Sequence, residues 1–75
     1  MNFRDFFKGH LREVREQRGE TQQQVADGLG IPRRHYQKFE YGDILPSLET
    51  FIAMADHFDV SLDHLAGRTE ESKKA

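Results

Sequence analysis

Apolar residues along this chain recur at the helical period, and no stretch alternates in the two-residue period of a strand. Phe3, Phe6, Phe7, Leu11 and Val14 fall on one side of a helical wheel, with His10 among them. This predicts a first helix from about residue 3 to 18, stopped by Gly19. Thr21-Gln22-Gln23-Gln24 reads as a capping box, in which the Thr21 hydroxyl and the Gln24 side chain serve each other's backbone amides. A short second helix follows with Val25, Ala26 and Leu29 inward and Gly30 as its stop. Gly28 inside it costs about 1 kcal/mol relative to Ala. Pro32 suits the first turn of a third helix, which runs to about Tyr41 and ends before Gly42. Ser47 caps a fourth helix, whose apolar stripe is expected to be Leu48, Phe51, Ile52, Ala55 and Phe58. Ser61 caps a short fifth with Leu62 and Leu65, and Gly67 closes it. The expected fold is all-α, a compact arrangement of five short helices. Residues 1–68 form the domain and residues 69–75 a disordered, charged tail.

Composition narrows the class. A chain of 75 residues is one domain. Its stability should be modest, on the order of 5 kcal/mol. There are no cysteines, which excludes a disulfide scaffold, a thiolate metal site and a cysteine nucleophile. The longest apolar run, Phe51-Ile52-Ala53-Met54-Ala55, is far short of the roughly 20 residues a membrane span needs. The charged opening is no signal peptide, so a cytoplasmic protein without membrane contact is expected. Six Phe and two Tyr argue against disorder.

The net charge of −2 hides an asymmetry. Residues 1–38 carry eight basic and five acidic side chains, whereas residues 39–75 carry three and eight. Such a split suits one face for a polyanion and another for something else. The third helix sharpens this. Arg33, Arg34, Gln37, Lys38 and Tyr41 share one face, and His35, Tyr36 and Phe39 lie opposite, where aromatic rings can pack on the first two helices. Arg, Gln and Lys supply the donors that match guanine O6/N7, adenine N6/N7 and phosphates. Two short helices joined by the turn Leu29-Gly30-Ile31 follow the helix-turn-helix plan.

The order of the segments adds to this. Leu11-Arg12-Glu13-Val14-Arg15-Glu16-Gln17-Arg18-Gly19-Glu20-Thr21-Gln22 opens a pattern that continues through Val25-Ala26, Leu29-Gly30-Ile31, Tyr36, Phe39-Glu40, Gly42 and Pro46-Ser47-Leu48-Glu49-Thr50. It resembles the phage-repressor and Cro type (XRE) helix-turn-helix family. Asp59 to Arg68 resembles the ending common in prophage regulators, so the likeness covers about residues 7–68. The resemblance implies a five-helix domain that binds operator DNA as a two-fold dimer. It places Thr21 and Gln22 at a phosphate, and Arg33, Arg34 and Lys38 at base-reading positions. Gln37 stays open between base and backbone, and Tyr41 between a phosphate contact and a plain surface residue. Arg15 and Glu40 resemble the family's buried ion pair. The chain also departs from the pattern. Glu20 stands where an apolar residue is usual, Pro32 where Ser or Thr is common, and Asp43-Ile44-Leu45 where the family is often basic.

The resulting expectation is a sequence-specific transcriptional regulator, a repressor whose partners are double-stranded operator DNA and a second copy of itself. Ile44, Leu45, Leu62 and Leu65 are the candidate dimer patch. The alternative is a protein-interaction module, antitoxin-like or co-regulatory, favoured by the acidic second half. The spacing of His10, His35, His57 and His64 matches no metal-ligand pattern, and Ser47 and Ser61 explain themselves as caps. No cofactor, metal, small-molecule ligand or enzymatic activity is expected. His10, on an apolar face, is expected to be a hydrogen-bonded core histidine.

Overall fold

The computed structural model describes residues 2–71. Asn2 begins α1 (Phe3–Gln17), its side-chain oxygen accepting from the Asp5 amide at 3.0 Å. Thr21 begins α2 (Gln22–Leu29) with both halves of a capping box, at 3.1 Å and 2.8 Å. Gly30 ends α2 at φ +71°, a left-handed conformation that costs glycine nothing and lets the chain reverse into the next helix. Next comes α3 (Arg33–Tyr41), which enters from Pro32 with no side-chain cap. Ser47 caps α4 (Leu48–Phe58), and Ser61 caps α5 (Leu62–Leu65). Asp59 closes α4 in the left-handed region at φ +56°, where Asp is tolerated better than most side chains. There is no strand among the described residues, and no helix is long and apolar enough to cross a membrane.

The core is one cluster fed by every helix. α1 contributes Phe7, Leu11 and Val14; α2 contributes Val25 and Ala26; α3 contributes Tyr36 and Phe39. Met54, Ala55 and Phe58 come from α4, Val60 from the turn after it, and Leu65 from α5. Packing runs α1 on α3 and α5, α2 on α3 and α4, and α4 on α5. The helix-turn-helix pair α2–α3 is thus backed on one side by α1 and on the other by α4.

Two expectations about facing change. On α4 the inward stripe is the partly buried Phe51 with the buried Met54, Ala55 and Phe58, a set at i, i+3, i+4 and i+7. Leu48 and Ile52, expected inward, are exposed at 73% and 41%. The helix has apolar residues nearly all round, so its period alone did not choose the face; contacts with α2 and α5 did. On α3, Tyr36 and Phe39 are buried, but His35 is exposed with its ring 5.2 Å from that of Phe39. His10 is half-buried; its Nε2 donates to the His64 carbonyl at 2.7 Å and its ring stacks on Phe6.

Residues 72–75 of the expected tail lie outside the described residues. The first part of that tail is engaged. His64 Nδ1 donates to the Thr69 carbonyl at 3.3 Å, and the Ser61 hydroxyl to the Glu71 carbonyl at 3.5 Å.

Candidate nucleic-acid interface

The site is built on a buried polar chain. Arg15 reaches from α1 to α3 and donates from Nε to Glu40 Oε2 at 2.6 Å and from Nη2 to Oε1 at 3.0 Å. The Glu40 side chain is only 2% exposed and that of Arg15 12%. A two-bond fork of this kind fixes direction as well as distance. Burial alone would raise the Glu40 carboxyl, but the Arg15 guanidinium, the neighbouring Tyr36 hydroxyl and the Gln22 amide hold it below the usual glutamate value. Glu40 in turn raises Arg15 above its ordinary value. Arg15 Nη1 also donates to the Glu20 carbonyl at 3.0 Å, tying the turn before α2 to the same pair.

The chain continues outward. Gln22 Nε2 donates to Glu40 Oε1 at 3.1 Å, and Gln37 Nε2 donates to Gln22 Oε1 at 3.0 Å. The two amides therefore link the first turn of α2 to the middle of α3. Both are half-buried; Gln22 is held by Glu40 and Gln37 by Gln22. Gln37, which the sequence left open between base and backbone, has its amide nitrogen committed to Gln22.

Beyond this chain lies the exposed face of α3. Arg33, Arg34, Lys38 and Tyr41 are all exposed. No ion pair among the described residues engages Arg33, Arg34 or Lys38. Two of these cations sit in the first helical turn, where aligned peptide dipoles leave partial positive charge, and no acidic residue or side-chain cap offsets them. This placement opposes helix stability by some tenths of a kcal/mol per charge. It suits an anion approaching from outside. Thr21, exposed at the cap of α2, and Gln22 present the second helix start to the same region.

Tyr36 sits behind the site. Its hydroxyl is buried beside the Glu40 carboxylate without a hydrogen bond of good geometry, and burial pushes the phenol far above its ordinary value.

The structure adds a contact that the sequence reading missed. His57 Nε2 lies 2.9 Å from Glu20 Oε2, with both side chains about three-quarters buried. The imidazole rests on Gly28, where an added Cβ would fall 2.4 Å from the ring. So α2 carries glycine because α4 lays a histidine across it. Three separate signals pointed here: an acid in an apolar position, a glycine inside a helix, and a histidine at the end of another. Only folding brings them together.

The candidate dimer patch is redistributed. Leu65 is fully buried in the core and offers no surface to a partner. Ile44 is half-buried and packs on the core. Leu45 and Leu62 are exposed at 40% and 44%. Leu48 and Ile52, one turn apart on α4, join them, and Ile52 and Leu62 line one cleft between α4 and α5.

Comparison with known proteins gives the same direction. Residues 11–65 match the helix-turn-helix family. The cryptic phage CTXphi transcriptional repressor RstR of Vibrio cholerae is 38% identical over 69 residues, covering 89% of this chain and 62% of that protein. The HTH-type transcriptional regulator YqaE of Bacillus subtilis is 42% identical over 59 residues, covering 79% of this chain and 51% of its own length. AnsR of Bacillus subtilis, also an HTH-type transcriptional regulator, is 38% identical over 65 residues, 87% of this chain and 56% of its own. The chain therefore spans between half and two thirds of the length of these three relatives. No solved structure gives a significant match. With its matched span running from α1 to α5, the chain belongs to the helix-turn-helix family of phage-repressor type.

Proposed function

We propose that this chain is the DNA-binding unit of a sequence-specific transcriptional regulator, acting as a repressor on a palindromic operator. The observation that carries the reading is the exposed set Arg33, Arg34 and Lys38 on one face of α3, the two arginines at its uncapped start and Lys38 in its last turn, without an ion pair among the described residues and supported from behind by the Arg15–Glu40–Gln22–Gln37 chain. In this reading α3 enters the major groove. Arg33, Arg34 and Lys38 meet base edges and phosphates, Tyr41 lies at the groove margin, and Thr21 and Gln22 hold a phosphate at the start of α2. Repression would be steric, by covering a promoter.

Two copies are part of the proposal. The longest dimension of the fold is 29 Å. Successive major-groove half-sites lie about 34 Å apart, so one copy does not present α3 to both. Leu45, Leu48, Ile52 and Leu62 supply an apolar face for a second copy.

Selection from a randomised duplex library at low salt, with the Arg34→Ala, Lys38→Ala double variant in parallel, tests this. A palindromic site enriched by the wild type alone supports the reading. No enrichment by a folded, helical protein overturns it and moves the weight to a protein partner on the Leu48–Ile52 face.

A further inference from the structure

The amide chain behind α3 has a direction, and that direction is imposed from the core. The Glu40 carboxylate, paired with Arg15 and held below the usual glutamate value, is ionised at neutral pH and can only accept. The Arg15 fork already engages both of its oxygens, at 2.6 Å and 3.0 Å. The Gln22 group 3.1 Å from Glu40 Oε1 must therefore be its NH2, since a carbonyl there would set two acceptors face to face. Gln22 Oε1 is thereby turned toward α3. The Gln37 group 3.0 Å from that oxygen must in turn be an NH2. Neither amide can be turned over without losing a bond and opposing two oxygens.

The outer end of Gln37 follows from this. The Tyr36 hydroxyl is the one buried side-chain polar atom without a partner among the described residues. Gln37 Oε1 makes no hydrogen bond among them either, so it is open to solvent. One of the two Nε2 hydrogens is also left over. Arg33 and Tyr41 lie one helical turn before and after Gln37, so the residue sits within the exposed face of α3.

We propose that Gln37 is a specificity-determining residue that reads adenine, and that Gln22 is its positioning residue. The inference rests on the DNA-binding reading above. In the major groove adenine offers the N6 amino donor beside the N7 acceptor. Gln37 Oε1 accepts from N6, and the remaining N–H donates to N7. Guanine offers two acceptors, O6 and N7, and thymine an O4 acceptor beside a methyl group, so neither gives Oε1 a proton. Cytosine has the amino donor but no N7 to take the N–H. A glutamine free to turn its amide can meet guanine with its N–H group. The Glu40 charge, passed outward through Gln22, removes that choice.

The test has two stages. Selection from a randomised duplex library at low salt is run with the wild type, Gln37→Ala and Gln22→Leu, each checked for helicity. Affinity is then measured for the wild type's selected duplex and for three copies in which the base pair governed by Gln37 is exchanged. The wild type should require adenine at one position of each half-site and prefer it to guanine by about tenfold, the discrimination of one two-bond amide contact. Gln37→Ala should lose the preference at that position and keep the others. Gln22→Leu, which breaks the relay without emptying its space, should bring adenine and guanine to within about twofold. A structural role for Gln22 alone would weaken all four duplexes equally and leave their ratio unchanged, which overturns its positioning role. A base other than adenine at the position that Gln37→Ala relaxes, or no position relaxed by Gln37→Ala, overturns the assignment while leaving DNA binding standing. No enrichment by the folded wild type overturns both.

Discussion

The most consequential single residues are Arg15 and Glu40. Replacing either with Ala leaves the other charge buried, a loss of about 3–5 kcal/mol. Against a total on the order of 5 kcal/mol, that amounts to unfolding, and urea denaturation measures it directly. The pair also sets the acid response. Because the Glu40 carboxyl titrates lower in the folded chain than in the unfolded one, its contribution is full above the ordinary glutamate value of about 4.3. It is lost as pH falls below that value and through the folded one. Acid denaturation should therefore be less steep in Glu40→Gln than in wild type, although that variant starts less stable. Tyr36 behaves oppositely. Its buried hydroxyl makes no hydrogen bond of good geometry, so Tyr36→Phe is expected to change stability by no more than about 1 kcal/mol. A loss greater than about 1 kcal/mol would show that the hydroxyl has a partner. Gly28 is explained by His57 alone. Ala at that position gains about 1 kcal/mol of helix propensity but meets the imidazole. Gly28→Ala should stabilise in a His57→Ala background and not in wild type, a coupling that a double-mutant cycle reads.

Among the elements, α3 has the least favourable start. It starts without a side-chain cap and with two cations against its dipole. Arg33→Glu should stabilise the fold by about 0.3–1 kcal/mol in thermal denaturation while weakening DNA binding. The opposed signs separate a residue kept for function from one kept for folding. Much of the element structure was legible beforehand, because caps and stops are local. Thr21 with Gln24, Ser47, Ser61 and Gly30 mark helix ends through hydrogen bonds spanning a few residues. The face of α4 was not legible. Leu48 and Ile52 compete with Met54 for the inward side, and only packing against α2 and α5 decides between them. The same holds for Glu20 and His57, which are 37 residues apart and meet only through the tertiary fold. On the candidate interface the pattern gave the exposed cations of α3, because the helical period separates Arg33, Arg34 and Lys38 from Tyr36 and Phe39. It did not give the amide relay through Gln22 and Gln37, which depends on how two helices cross.

For the whole molecule, the charge split acquires a geometry. The cations of α3 face out without an ion pair among the described residues, while α4 and α5 carry acidic residues around the apolar face of Leu48, Ile52 and Leu62. A two-fold pairing through that face brings like charges together, so the dimer should tighten with salt while DNA binding weakens with it. Sedimentation at two salt concentrations checks the first half, and a monomer at ~100 μM in both would remove the dimer from the account. The central claim is that α3 and the start of α2 meet DNA. Its most direct test is a backbone NMR titration of the isotope-labelled chain with the duplex recovered by selection. The largest shifts are expected at Thr21 and Gln22 and along Arg33 to Lys38, with α4 and α5 little moved by the DNA itself. Shifts centred on Leu48, Ile52 and Leu62, with Arg33, Arg34 and Lys38 unmoved, would contradict it.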